Sequence, residues 1–262
     1  MEQSLQIIPT DLLPAYLEQL PKGLQQAFHA LHDAEISTGS FSFYTSVSAM
    51  ASSKIEGEAM DIDSYVKHKM LDVQYMEDLV QKPNDLYQAY LFAQGHQLSQ
   101  KNFLHAHKLI AAHLLPPNKR GALRKGNMVV MEHNTFRIQF EAASATEVKA
   151  LFNLLWSDIE QLKQQSLTTE EVFFFASFIH IVFVSIHPFD DGNGRAGRLL
   201  EKWFISQMLG QKAWYLQSEL NYYKQINDYY KNLNRLGVFY EQLDYSKAMP
   251  FLLMLPNSLF IK

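Results

Sequence analysis

The chain has 262 residues, of which 47% are hydrophobic and 19% charged, with a formal net charge of −4. That apolar fraction can bury a substantial core and argues against general disorder, while the mild acidity and lack of a long basic block give no footprint for nucleic-acid binding. Cysteine is absent, which excludes disulfides and thiolate metal sites.

Glycine and proline are sparse, at 11 and 9, and long amphipathic segments dominate, so the sequence predicts a mainly α fold. The start, Met1-Glu2-Gln3-Ser4-Leu5, has neither the basic start nor the apolar run of a signal peptide; a cytoplasmic protein is expected. Helices are predicted near Leu24 to Ser37, Phe41 to Glu56 and Ile62 to Leu71. Ser52 and Glu56 lie four apart, hence on one helical face. Gly57 reads as a helix stop, in preference to a capping box from Ser53 to Glu56. Lys82-Pro83-Asn84 is the expected linker between an N-terminal helical region, 1–83, and a larger core, 84–243.

Further helices are predicted from Asp85 to Leu98 and Asn102 to Leu114. The stretch Asn118 to Asn127, with Lys119, Arg120, Arg124 and Lys125, is expected to be a solvated basic loop. The pattern then switches: Met128-Val129-Val130-Met131, a polar tip at Glu132-His133-Asn134, and Thr135-Phe136-Arg137-Ile138 form a predicted β-hairpin. Helices follow from Ala145 to Gln164 and from Thr169 to Ile186, the latter opened by a capping box, Thr168 with Glu171. This last segment is almost unbroken apolar residues, yet short for a membrane span and interrupted by His180. No membrane association is expected.

Residues 187–198 read His-Pro-Phe-Asp-Asp-Gly-Asn-Gly-Arg-Ala-Gly-Arg. Pro188 ends the helix at His187, so the imidazole sits where a buried helix meets a loop. Gly192-Asn193-Gly194 can turn its amides into an anion nest over the start of the next helix, predicted from Arg195 to Leu209. Arg195 and Arg198, three apart, share a face that suits phosphate oxygens. Asp191 is a single carboxylate of the kind that holds Mg²⁺ beside a phosphate, and His187 can accept a proton near neutral pH. These parts suit attack by a hydroxyl on a nucleotide phosphorus. His180, seven residues upstream of His187, is expected to be a buried hydrogen-bonded histidine rather than half of a metal site. Helices from Asn221 to Leu233 and Ser246 to Leu255 complete the chain, and residues 244–262 are assigned to packing on the core or to self-association.

The run at 187–198 matches every fixed position of HPFx[D/E]GNGRxxR and so resembles the signature of the Fic family. The resemblance implies a Fic-type helical bundle with a small β-hairpin flap, about 126–140, near the active site. It implies transfer of AMP from ATP to a hydroxyl side chain of a target protein. His187 would be the base, Asp191 the Mg²⁺ ligand, and Gly192, Asn193 and Gly194 the anion hole. Arg195 and Arg198 would bind the outer phosphates, and Phe189 would anchor the loop. Ser52 to Gly57 is similar to the family's inhibitory pattern [S/T]xxxE[G/N], with Glu56 competing for Arg198 and so excluding productive ATP. Gly121-Ala122-Leu123-Arg124 resembles the family's Gly-x-x-Arg lead into the flap, where Met128 to Met131 would dock the target as an added strand. Glu141-Ala142-Ala143-Ser144 departs from the proline-rich stretch of many relatives. Tyr229-Tyr230-Lys231-Asn232-Leu233 resembles an element closing the adenine side of the pocket, with Asn221 and Tyr222 near it; core packing explains these tyrosines equally well. Removal of AMP, transfer of another phosphate-containing group, and nucleotide sensing without turnover remain the alternatives on the same scaffold.

Overall fold

The computed structural model describes residues 4–39, 41–131 and 138–260. Helices α1 (Leu13–Gln19), α2 (Leu24–His29), α3 (Phe43–Ile55), α4 (Ile62–Leu71), α5 (Glu77–Gln94) and α6 (Gln100–Ile110) precede a hairpin of β1 (Val129–Met131) and β2 (Ile138–Glu141). Helices α7 (Val148–Lys163), α8 (Thr169–Ile186), α9 (Asn193–Leu209), α10 (Ser218–Lys224) and α11 (Ile226–Asn234) follow, and the short α12 (Met249–Leu252) and α13 (Met254–Asn257) close the chain. The protein is mainly helical with one small antiparallel sheet, as the sequence predicts.

Helix α8 is the axis. It is apolar on nearly every side, as a helix buried all round must be. Among the described residues it is the one helix long and apolar enough to cross a membrane, but 83% of that stretch is buried within the protein, which makes it a core helix. Its predicted capping box is present: Thr168 Oγ1 accepts from the Glu171 amide, and Glu171 Oε2 accepts from the Thr168 amide at 2.8 Å. Around it pack α9, α7, α1 and α2. Tyr16 and Phe28 reach Phe174 and Phe173 across ring-centroid distances of 5.2 and 5.9 Å. Ahead of α1, the carboxylate of buried Asp158 on α7 accepts the amides of Gln6, Ile7 and Ile8, pinning the N-terminal segment.

Several expectations are corrected. The linker placed at 82–84 lies inside α5, with Pro83 buried in its second turn; tertiary packing outweighs the missing amide there. Helix α2 stops at His29, and Asp33 then takes the Ala34 amide and Ser37 hydroxyl, a local arrangement that competes with helix. The single helix expected from Asn221 to Leu233 breaks at Gln225 into α10 and α11. The helix expected from Ser246 to Leu255 is a series of short turns, with Pro250 opening α12 and the helix breaking at Leu253 before α13. Phe251, Leu252 and Leu255 are nonetheless fully buried in the main core. In the hairpin, Val129 pairs with Glu141, Val130 with Phe140 and Met131 with Ile138, with a bulge between Val130 and Met131. Met128 lies just outside β1, its carbonyl accepting the Ala142 amide. The predicted tip, residues 132–137, lies outside the described residues.

Helices α3 and α9 meet along a polar seam. Ser48, Ser52 and Glu56 recur once per turn on α3 and at its end, facing Lys202, Arg198 and Gly194 in antiparallel order. Lys202 sits fully buried and donates to Ser48 Oγ (2.7 Å), the Leu216 carbonyl (2.6 Å) and Glu219 Oε2 (2.5 Å), while Tyr90 Oη donates to Glu219 Oε1 at 2.6 Å. This cluster ties α3, α5, α9 and α10 together. Glu219→Ala should lower unfolding free energy by about 3–5 kcal/mol, because it strands a buried ammonium, while Lys202→Met with Glu219→Leu should cost clearly less; urea unfolding of the three proteins checks both.

Candidate active site

His187 caps α8 in the left-handed region, at φ 52°, a conformation uncommon outside glycine. Pro188 prevents the helix from continuing, and Arg124 holds the turn. The Arg124 guanidinium donates to the carbonyls of His187 (2.7 Å), Ile186 (3.2 Å), Gly126 (2.6 Å) and Ala143 (2.5 Å), and its amide donates to the Pro188 carbonyl. A cation on the last carbonyls of a helix is favoured by the helix dipole. Thus Arg124, expected to be in a solvated loop, is buried and joins the flap's base to the loop.

The His187 Nδ1 lies 3.2 Å from the Val184 carbonyl, which can only accept, so Nδ1 carries the proton and Nε2 keeps its lone pair. Burial, helped by the nearby Arg124 cation, lowers the imidazole pKa below its usual value, against opposing pulls from Val184, Glu56 and Asp191. A neutral imidazole at neutral pH can take up a proton.

The loop after it is built on its own backbone. Phe189 is fully buried and stacks on His107 with centroids 3.5 Å apart. Asn193 spends its whole side-chain amide on Phe189, accepting from its N–H and donating to its carbonyl, both at 2.9 Å. Gly192 is left-handed, at φ 79°, and its amide donates to Asp191 Oδ1 at 2.6 Å. Helix α9 starts there. Its first intrahelical bond comes from Ala196, so the amides of Asn193, Gly194 and Arg195 have no hydrogen-bond acceptor among the described residues. Three free amides at the start of a 17-residue helix make an anion site.

A carboxylate lies against the first turn of that helix. A Cβ at Gly194 would overlap the Glu56 carboxylate. Glu56 Oε1 accepts from Arg198 Nη2 at 2.6 Å. Arg198, 1% exposed, also donates to Ser52 Oγ (2.8 Å), the Ser52 carbonyl (3.0 Å) and Tyr229 Oη (3.2 Å). Burial opposes the charge on Glu56, but the Arg198 and Arg195 guanidiniums and the hydrogen bond from Arg198 outweigh it and hold the carboxyl below its ordinary range. Glu56 itself caps α3. The Gly57 amide returns to the Lys54 carbonyl and the Glu58 amide to Ser53, with Gly57 at φ 88°, the double bond of a Schellman stop.

The second arginine points elsewhere. Arg195 Nη2 donates to Glu58 Oε1 at 2.9 Å, and Lys82 shares the same oxygen at 3.1 Å. The two arginines, expected on one polyphosphate, are thus held by two carboxylates of one segment. Behind Arg198, Tyr229 Oη meets His180 Nε2 at 3.1 Å, His180 Nδ1 meets Glu201 at 2.8 Å, and Tyr222 donates to Glu201 at 2.9 Å. His180 is therefore the buried, hydrogen-bonded residue expected. Burial is the main cause raising the Tyr229 pKa to about 12, so its hydroxyl stays protonated.

A cavity of about 710 Å³ opens here, bringing together Glu56, Gly57, Val130, Met131, His187, Gly194, Arg198, Tyr229 and Tyr230. Ser52, Phe189, Gly192, Asn193 and Arg195 lie behind its wall, and exposed Asp191 lies off it. Met128, just before β1, and Val129 are not part of the lining, nor are Asn221 and Tyr222, which are core residues of α10: Asn221 donates to the Met254 carbonyl. Ser185, Asn234, Leu236 and Leu243 line the cavity without having been singled out in the sequence. Glu58 and His107 also escape sequence reasoning: Glu58 follows a helix stop, where periodicity no longer assigns a face, and His107 lies 80 residues before the loop it touches.

The Fic/DOC family model matches residues 97–205, a stretch from α6 through most of α9 that includes the whole signature loop. That stretch matches a Fic/DOC family domain. Its fold is similar to that of a Fic family protein from Desulfovibrio desulfuricans G20, at 18% identity and a TM-score of 0.72 over 98% of this chain and 74% of that one. It is similar also to a Fic domain containing signaling protein from Bacteroides thetaiotaomicron VPI-5482 (18% identity, TM-score 0.61, 95% and 94% covered). A Fic-1 fragment from C. elegans matches at 14% identity and a TM-score of 0.64 over 95% of this chain and 68% of that fragment. No curated protein matches the chain. The Fic domain supports a transferase function.

The Glu56 pair has a pH signature. A carboxyl whose pKa is depressed by folding stabilises the native state above its unfolded pKa and loses that contribution as pH falls through the folded value. Glu56→Gln should therefore be less stable than the parent protein at pH 7, and the difference should shrink as pH drops below about 4.3, the usual glutamate pKa. Urea unfolding between pH 7 and pH 3 measures the convergence.

Proposed function

We propose that this protein is an auto-inhibited AMP transferase that moves AMP from ATP to a hydroxyl side chain of a target protein. The observation that carries the reading is the Glu56 carboxylate packed against Gly194 in the first turn of α9, paired with Arg198, in the cavity that His187 lines. An anion site filled by the chain's own anion is a site built for another.

In the reaction, His187 Nε2 takes the proton of the target hydroxyl as its oxygen attacks the α-phosphorus. The bond from that phosphorus to the bridging oxygen breaks, and diphosphate leaves with the electron pair. The amides of Asn193 to Arg195 and the Arg198 guanidinium stabilise charge on the phosphates. The described residues contain no cluster of three metal-ligating side chains. The fit to Mg²⁺ is the one it usually has beside phosphates: Asp191 is exposed, one of its oxygens accepts the Gly192 amide, and substrate and water would complete the shell. When bound, the ion would supply positive charge to the phosphate oxygens.

The flap suits target docking by strand addition, since Val129, Met131 and Ile138 are exposed and Val130 and Met131 border the cavity. Inhibition follows from competition: ATP cannot place a phosphate at Arg198 while Glu56 is there, and a buried guanidinium–carboxylate pair resists opening. The presence of Glu56 and His187 on one cavity also favours a second reading, hydrolytic removal of AMP, with the carboxylate orienting water.

Glu56→Gly should raise labelling of targets by ATP carrying label on the α-phosphate, and His187→Ala in that background should abolish it. Label arriving from the γ-phosphate instead would replace this chemistry with phosphate transfer. Because Glu58 still holds Arg195, Glu56→Gly with Glu58→Gln should bind ATP more tightly than Glu56→Gly alone, read by calorimetry. With His187 held neutral by burial, the rate of the Glu56→Gly protein should stay level as pH falls through about 6.5, the ordinary histidine value, and decline only below it.

A further inference from the structure

His107 lies on α6, fully buried, with no place in the reaction described above. Its ring nitrogens have different partners. The Gly121 amide donates to Nδ1 at 3.0 Å, so Nδ1 holds a lone pair; Nε2 lies 2.9 Å from the Asp191 carbonyl, which can only accept, so Nε2 carries the hydrogen. The ring face stacks on Phe189 at 3.5 Å and an interplanar angle of 10°. Gly121 has no freedom to move away: it sits at φ 70°, and a Cβ there would lie 2.6 Å from the Leu104 carbonyl oxygen.

The Asp191 carbonyl and the Gly192 amide belong to one peptide plane. His107 grips the carbonyl end of that plane, and Asp191 Oδ1 grips the amide end at 2.6 Å. Gly192 is the left-handed residue that aims the next three amides, and a Cβ on it would already touch His107 Nε2 at 3.4 Å. We propose that His107 is a positioning residue for the anion-binding turn: by fixing the Asp191–Gly192 peptide, it sets the direction of the free amides of Asn193, Gly194 and Arg195. Gly121 and Arg124 then brace the two ends of the signature loop, Gly121 through His107 at the Asp191 end and Arg124 directly at the His187 end. One short segment leading into the flap thereby holds both the base and the anion nest.

The assignment rests on the nucleotide reading of this cavity, and the test separates the two. Calorimetry is run on the full chain carrying Glu56→Gly, alone and with His107→Phe, which keeps the stack but removes both hydrogen bonds, or His107→Gln, which restores a donor. ATP and adenosine are the titrants. ATP affinity should fall about tenfold in His107→Phe, the loss expected when a buried polar group is unpaired, while adenosine affinity stays unchanged. His107→Gln should recover most of the loss. Equal weakening of ATP and adenosine, or unchanged ATP affinity, overturns the positioning role. If the Glu56→Gly protein binds neither titrant, the nucleotide site itself falls and the assignment with it. Should His107→Phe fail to fold, ¹⁵N NMR of the Glu56→Gly protein decides. The His107 signals should show a protonated Nε2 and an unprotonated Nδ1, and should move with ATP but not with adenosine; signals indifferent to ATP overturn the proposal.

Discussion

The guanidinium of Arg198 is the hinge of this structure. It is almost wholly buried, and a buried cation must be paired and hydrogen-bonded or it destabilises the fold. Four acceptors from three residues meet the need: Ser52 through hydroxyl and carbonyl, Glu56 through its carboxylate, and Tyr229 through its phenol. Three of these are fixed parts of the wall. Glu56, with its side chain 28% exposed, is the one that borders open space. An arginine kept in so dry a place, its charge met by a carboxylate at the cavity's edge, fits the proposed exchange of one anion for another.

The surroundings of Arg198 explain why the site is stiff everywhere else. His180, Glu201, Tyr222 and Tyr229 form a hydrogen-bonded chain behind it, packed by Phe251 from the C-terminal segment with ring centroids 5.2 Å from His180 and 5.7 Å from Tyr229. The signature loop is fastened through backbone atoms, by Asn193 to Phe189 and by Arg124 to residues 186–188. Side chains that look available for ligands in the sequence, Asn193 above all, are consumed in holding the turn, and what the turn leaves unpaired is main-chain amides.

That division sets what the sequence could reveal. The capping box at Thr168, the apolar run to Ile186 and the break at Pro188 are local signals, and they place His187 at the mouth of the site. The helical spacing of Ser52 and Glu56 is local too, and both residues meet Arg198. Spacing does not reveal that Glu58 holds Arg195, because three residues on a helix share a face only loosely and Glu58 draws that guanidinium aside. Pro83 misled because a buried proline is tolerated where packing outweighs one absent hydrogen bond. The roles of His107, Arg124 and Tyr229 depend on contacts across tens of residues, which no periodicity encodes.

The seam between α3 and α9 limits how the proposed inhibition could be lifted. Ser48 is fastened to Lys202, and Lys202 to Glu219, all without access to water. Withdrawing α3 as a body would uncover a buried ion pair and break the packing of α3 on α5 and α10, a cost comparable with the stability of a whole domain. Glu56 stands beyond the last turn of α3, on the glycine stop, where only its own side chain and the Gly57–Glu58 segment need to move. Rotation of one carboxylate away from Gly194 leaves Ser52 still on Arg198 and the seam intact. For the proposed brake, the energetics therefore favour release at the helix end, by competition from a stronger anion or by a partner touching residues 56–58, over release that requires the N-terminal helices to detach.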